Sequence, residues 1–196
     1  MDTRESLRRR IALARPEDQA LGMFFSRSLA GASDLFGARV AEAAKAALPP
    51  RKWEAYFKYP VVDLLQLNHA VAEAAEQRRG IPYAQAVEQL GSLLGLDVLE
   101  ASFGKALRQL AAGDAHRVLA GSMSSARATT SFGERAYEKL GDKSARLVFR
   151  NELMGPSWVR GLYAKMLPLA AGAPRMRLTL EDLRTPGVEF SLRCDW

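Results

Sequence analysis

The sequence has little of the residue types that metal sites and disulfide frameworks need. Its 196 residues include one cysteine, Cys194, and two histidines, His69 and His116. A single cysteine excludes an internal disulfide and a multi-cysteine zinc site, and it fits a reducing compartment. Every stretch of about 18 residues contains charge, so we expect no membrane span. The sequence therefore predicts a cytoplasmic chain without a metal site.

Motifs for catalysis and nucleotide binding are also lacking. We find no glycine-rich phosphate loop, no two-glycine dinucleotide fingerprint after a strand and no histidine–glutamate metal motif. Cys194 has no histidine near it in sequence to serve as a base. A helix-turn-helix placed on residues 83–110 would have a recognition helix too apolar to read bases. We therefore expect no enzyme activity, no cofactor and no nucleic-acid partner.

The net charge of +6 is spread along the chain except at its start. Five arginines there face only two acidic residues: Arg4, Arg8, Arg9, Arg10 and Arg15. The sequence predicts a flexible, basic N-terminal arm over residues 1–15, and contact with phosphates or an anionic membrane stays open as an alternative. Residues 16–196 have the length of a single domain.

Hydrophobic periodicity divides this domain into a helical part, residues 16–126, and a sheet part, residues 127–196. Pro16-Glu17-Asp18 is typical of a helix start, and apolar residues recur at helical spacing after it. The alternating pattern that follows predicts strands on both sides of a helix that begins near Gly155. We expect the strands at 134–140, 144–150, 175–180 and 188–194. This order of helices and then β-β-α-β-β predicts an α+β fold with a mixed sheet.

An aromatic cluster precedes Pro60. Trp53, Tyr56, Phe57 and Tyr59 place four rings within seven residues. Aromatic side chains contribute large buried areas, which favours a place in the core or at its rim. A platform for a ligand is the alternative.

Several blocks of the sequence resemble a paralogous family of proteins of this length that is expanded in myxobacteria. The likeness covers residues 16–196, and the family is uncharacterised, so it implies no activity. The blocks are Leu21–Phe25, Tyr59–Pro60, Thr130–Arg135, Ala145–Glu152 and Asp195–Trp196.

A more distant likeness is to the haem-based nitric-oxide and oxygen sensor domain and its 4-vinyl-reductase-like relatives. The segment Phe149–Glu152, ahead of a helix, looks like the strand whose tyrosine, serine and arginine bind the haem propionates. Here Phe149 replaces the tyrosine, Asn151 replaces the serine, and the second arginine is missing. The iron-ligating histidine of those sensors would fall near residues 126–129, where no histidine stands. The resemblance thus implies the sensor scaffold without its haem.

Our main functional interpretation is a non-catalytic regulatory or adaptor domain that binds a protein partner or a second copy of itself. Arginine and tryptophan are favoured at interface hot spots, so Arg135, Arg150 and Trp158 are candidate contact residues. Each also has a structural explanation, since Trp158 suits a core and Arg135 could pair with its neighbour Glu134.

The alternative is a sensor of an apolar or lipid-like small molecule. Such a ligand would occupy the crevice between the helical part and the sheet. The candidate lining residues are Trp53, Tyr56 and Tyr59, with Arg150 as an anchor for an acidic head group. An immunity-type partner protein is a second alternative, compatible with paralogous expansion.

Overall fold

A computed structural model describes residues 2–46, 48, 50–111, 113–181 and 188–196, with the side chains of 103, 110 and 111 left out. Its helices are α1 (Arg4–Leu13), α2 (Gly22–Phe36), α3 (Ala38–Ala46), α4 (Val61–Arg79), α5 (Tyr83–Glu100), α6 (Ser102–Ala111), α7 (Ala115–Thr129) and α8 (Pro156–Ala170). Its strands are β1 (Gln19–Leu21), β2 (Lys58–Pro60), β3 (Glu134–Gly141), β4 (Ser144–Arg150), β5 (Arg177–Glu181) and β6 (Phe190–Asp195). The α+β class and the β-β-α-β-β order are confirmed. Within the described residues, no helix has the length and apolar character needed to cross a bilayer.

The start of the domain differs from the expected helix at Pro16. The Asp18 carboxylate accepts a hydrogen bond from the Arg15 amide at 2.8 Å, which holds a turn in place of a helix. The chain then runs as β1, which pairs antiparallel with β2. Helix α2 therefore begins at Gly22, six residues later than the sequence indicates.

The first residues form a packed helix where the sequence indicates a solvated arm. Thr3 and Ser6 make a capping box that starts α1. Asp2 and Arg10 form an ion pair whose side chains are almost fully buried, with 2.5 Å between Oδ1 and NH1. The other Asp2 oxygen accepts a hydrogen bond from the Ser157 amide at the start of α8, at 2.7 Å. Asp2 thus caps a helix that begins more than 150 residues away.

The larger sheet has the order β3-β4-β6-β5, and every neighbouring pair is antiparallel. The prediction of a mixed sheet is therefore wrong. Helix α8 joins two antiparallel strand pairs, and it brings β4 beside β6 in antiparallel orientation as well. The alternation in β4 is confirmed, since Leu147 and Phe149 are buried and Arg150 is exposed. Phe149 stacks on Phe190 of β6 at 4.9 Å between ring centroids.

Helices α5 and α8 make the most extensive helix–helix contact in the molecule. A Cβ atom placed on Gly91 would lie 2.1 Å from the Trp158 carbonyl oxygen, and one on Gly161 would lie 2.0 Å from the Glu88 carbonyl oxygen. Gly95 makes a similar approach to α8. The two backbones therefore touch along a glycine seam, which we define as Gly91, Gly95 and Gly161. The spacing of Gly91 and Gly95, four residues apart on one helix face, is the sequence signal for it.

Candidate functional site

Two small cavities lie between α2, α7 and α8, and one of them also reaches the inner face of the sheet at Phe149. One has a volume of about 30 Å³ and is bordered on one side by Arg135 and Glu152, and the other has a volume of about 40 Å³ and extends toward Val98 and Met166. We call this divided space the crevice. Five residues line both cavities: Phe24, Ala126, Thr129, Leu162 and Tyr163.

Helix α8 supplies one wall of the crevice. It begins after Gly155, whose φ of 85° suits glycine, and Pro156 occupies the first turn. Trp158, Leu162 and Met166 then recur every fourth residue and so lie on one face of the helix. The Trp158 ring packs against Phe24 of α2 at 5.7 Å, which closes the crevice at that end.

A buried ion pair forms the polar end of the crevice. Arg135 donates to Glu152 at 2.5 Å, and their side chains are 8% and 1% exposed. Arg135 also donates to the Thr130 hydroxyl at 3.1 Å, while Glu152 accepts from the Met154 amide at 3.0 Å. Burial is the largest single influence and acts to lower the pKa of Arg135, but the Glu152 charge, the nearby Tyr163 and the hydrogen bond to Glu152 together outweigh it and raise that pKa. Arg135 therefore stays charged and is committed to Glu152, and Glu134 is not its partner.

Tyr163 is the main hydroxyl donor of the crevice. Burial raises the pKa of its phenol far above the usual range, and the nearby Arg135 charge offsets only part of this effect. The group is therefore a neutral phenol at physiological pH. With an ion pair, a phenol and threonine hydroxyls, the crevice can orient a small ligand by hydrogen bonds but has no activated nucleophile.

Cys194 lies on the buried face of β6. Burial raises the pKa of its thiol to about 12, with a smaller contribution from Asp195. Because the thiolate is the reactive form, we expect the native protein to resist a thiol-specific chromogenic disulfide at pH 8 and to react at Cys194 once unfolded in guanidinium. Complete labelling within minutes, with the native circular dichroism unchanged, would contradict this burial.

The aromatic residues predicted to line the crevice lie elsewhere. Trp53 stacks on Phe25 at 4.1 Å between centroids, and Tyr59 meets both rings edge-on. These two rings cover the rim of the core, as the structural interpretation expects. Tyr56 is 74% exposed and contacts neither the core nor the crevice.

The three other candidate residues divide between the crevice and the surface. Trp158 and Arg135 lie in the crevice wall, so a partner does not reach them on the surface. Arg150 follows Phe149 on β4 and therefore lies on the opposite, exposed face of the sheet. An anchoring role for Arg150 inside the crevice is wrong for that reason. The sequence did not indicate Glu152 and Tyr163 as site residues, because their positions in the crevice depend on how separate elements pack together.

The residues present do not fit a haem group. Pockets for ligands of drug size have volumes of about 300–1,000 Å³, several times the space in the crevice. The described lining contains no histidine or cysteine, and the high pKa of Tyr163 disfavours a phenolate ligand to iron. His69 and His116 lie outside the lining and hydrogen bond to Tyr83 and Tyr137 instead.

Solved structures with the same architecture are H-NOX proteins. The unliganded Fe(II) form from K. algicida aligns with a TM-score of 0.68 and 13% identity, covering 89% of this chain and 95% of that one. The Fe(II)NO form from S. oneidensis has a TM-score of 0.64 and 14% identity, covering 89% and 98%. The IWP-051-bound Fe(II)CO form from Shewanella woodyi has a TM-score of 0.59 and 16% identity, covering 89% and 93%. At these identities the likeness shows the fold, which is the H-NOX-like scaffold.

No curated protein matches the chain. A family model matches residues 13–196, which is nearly the whole sequence and excludes most of α1. The chain therefore belongs to the family described as protein of unknown function, DUF2378.

Proposed function

We propose that this domain is a haem-independent sensor of a compact, apolar small molecule that binds in the crevice. The observation that carries the proposal is the pair of adjacent cavities, which share five lining residues. Their place between the helical part and the sheet is where ligands preferentially bind in a layered domain. The H-NOX-like scaffold supports the same role, since the solved proteins that share it carry iron and bind NO or CO.

The size of the crevice limits the ligand. A water molecule needs about 10–15 Å³ of such space, and an engineered apolar cavity of about 150 Å³ binds benzene or xenon. Cavities of about 30 and 40 Å³ are each too small for an aromatic ring, and Leu162 is one of the side chains that line both. A space enlarged by movement of these side chains suits a small apolar molecule with one hydrogen-bonding group directed at Tyr163. A long lipid chain does not fit.

Ligand binding has a direct route to a change in shape. A molecule that separates Phe24, Ala126 and Leu162 pushes on α2, α7 and α8 at once, because these residues come from the three helices. A ligand shifts an equilibrium between two packings only by its difference in affinity for them. The crevice must open to admit the ligand, so the ligand has higher affinity for the open packing than for the closed one.

Replacing Leu162 with alanine tests the crevice directly. The variant shortens a side chain that lines both cavities and so enlarges the space, and we therefore expect affinity for benzene to rise by about tenfold or more over the natural protein. Leu169→Ala is the matched control, because Leu169 lies on the same helix but is 57% exposed. Titration calorimetry with benzene measures the affinities, and equal values for both variants would refute the crevice as a ligand site.

Native mass spectrometry of the protein purified from its own cells detects the natural ligand as a bound mass. An absorbance scan from 350 to 450 nm tests for haem. We expect a bound mass in the range of a small organic molecule and no Soret band. A Soret band would overturn the haem-independent mechanism. Protein free of any bound mass, combined with no gain for Leu162→Ala, would overturn the sensor proposal.

A further inference from the structure

Two adjacent aromatic rings project from the loop between α3 and β2. Tyr56 is 74% exposed and Phe57 is 68% exposed, and among the side chains that the structure describes the other large exposed apolar ones are leucines dispersed along the chain. We refer to residues 51–58 as the aromatic loop. Exposed rings of this size lose the free energy that burial would provide, so their presence at the surface calls for an explanation.

The aromatic loop is held firmly by its neighbours. The first amides of α2, from Gly22 and Met23, donate to the carbonyl oxygens of Phe57 and Ala55 at 2.8 and 3.1 Å. The Tyr59 hydroxyl accepts a hydrogen bond from the Glu54 amide at 3.0 Å. The loop backbone therefore caps a core helix, and the two rings are presented at its tip by a fixed support.

Positive charge surrounds the rings. Lys52 and Lys58 are exposed before and after them in the sequence, and Arg51 lies over the Trp53 ring at the base of the loop, where it pairs with Asp63 of α4 at 4.0 Å. Glu54 is the one acidic residue in residues 51–58, and it pairs with Lys52 at 2.9 Å. The segment thus has three basic residues against one acidic residue, which complements an anionic surface.

The small area of the two exposed rings favours a lipid surface over a protein as the binding partner of the aromatic loop. A stable protein interface buries about 800 Å² on each partner, and two side chains supply only a fraction of that area. Insertion into a membrane interface requires much less, because a few apolar side chains together with flanking cations give reversible binding. We propose that the aromatic loop is a contact site for an anionic membrane surface, with Tyr56 and Phe57 inserted among the headgroups and Lys52 and Lys58 against them.

Vesicle sedimentation tests this proposal with the full chain. We expect binding to vesicles of phosphatidylcholine with phosphatidylglycerol, little binding to phosphatidylcholine alone, and a loss of binding as salt is raised. The double variant Tyr56→Ala with Phe57→Ala should lower the partition coefficient about tenfold or more. The double variant Lys52→Gln with Lys58→Gln should weaken binding to the anionic vesicles only.

Leu35→Ala with Leu169→Ala is the matched control, because it removes two exposed apolar side chains outside the loop. It should bind vesicles like the natural protein, and all variants should keep the native melting temperature. Equal vesicle binding by the aromatic variant and this control would overturn the proposal. The absence of vesicle binding would overturn it too. In that case, loss of self-association by the aromatic variant in sedimentation equilibrium would show that the loop contacts a second copy of the chain instead.

Discussion

Replacing Asp2 with alanine is expected to lower the free energy of unfolding by about 3–5 kcal/mol. The change leaves the Arg10 guanidinium buried without its carboxylate, and the Arg10 Nε already lacks a hydrogen-bond partner within the described structure. It also removes the acceptor for the Ser157 amide at the start of α8. Urea unfolding followed by circular dichroism measures the loss.

Two further variants separate the causes of this loss. Glu17→Ala removes an acid from an ion pair with Arg15 that is exposed on both sides, and it should leave the unfolding midpoint unchanged. Asp2→Ala combined with Arg10→Met should lose less stability than Asp2→Ala alone, because no unpaired charge remains buried. If Asp2→Ala behaves like Glu17→Ala, then α1 is not docked against α8 in solution.

Replacing Gly161 with alanine is expected to destabilise the protein by about 1–2 kcal/mol, although alanine is the better helix former. The gain in helix propensity is about 1 kcal/mol. The new Cβ would lie 2.0 Å from the Glu88 carbonyl oxygen, which belongs to the backbone and can move only if α5 moves. Overpacking of this kind costs about 1–3 kcal/mol and sometimes more, so the clash outweighs the propensity.

Gly121→Ala is the matched control for the glycine seam. Its Cβ would meet only the Leu107 side chain, whose end can rotate away, so helix propensity should dominate and stability should stay constant or rise. Thermal and urea unfolding compare the two variants. A stabilised Gly161→Ala variant would show that α5 and α8 are farther apart than the structure places them.

Patterns within one element were predictable from the sequence, and contacts between elements were not. The β3–β4 hairpin follows from strict alternation through Leu147 and Phe149 around a glycine-containing turn. No local rule pairs Asp2 with Ser157, because that contact depends on how segments 155 residues apart pack. Arg135 and Glu152 lie at the open end of the predicted hairpin, but the reach of the two side chains beyond the strand pairing is not visible in the alternation. The helix expected at Pro16 shows the same limit, since pairing of β1 with β2 outweighs a good helix-start signal.

The aromatic residues that the sequence proposed for the site show most clearly that contacts between elements are not predictable. Trp53, Tyr56 and Phe57 lie in a loop, where side chains follow no helical or strand period, and Tyr59 lies in the three-residue strand β2. Two of the rings pack on Phe25 and two face solvent, and composition alone does not distinguish them. The resemblance to the sensor scaffold predicted a crevice between the helices and the sheet. The residues that line this crevice depend on how α7 and α8 pack, which the sequence pattern does not show.

The glycine seam has a mechanical consequence. Helices whose backbones touch cannot separate or tilt without losing their contact, so α5 and α8 move as one rigid body. Asp2 joins α1 to the same body through the start of α8. Expansion of the crevice must then displace the other walls, which are α2, α7 and the β3–β4 hairpin. Occupation of the crevice would therefore change the positions of α2 and α7 relative to this fixed frame.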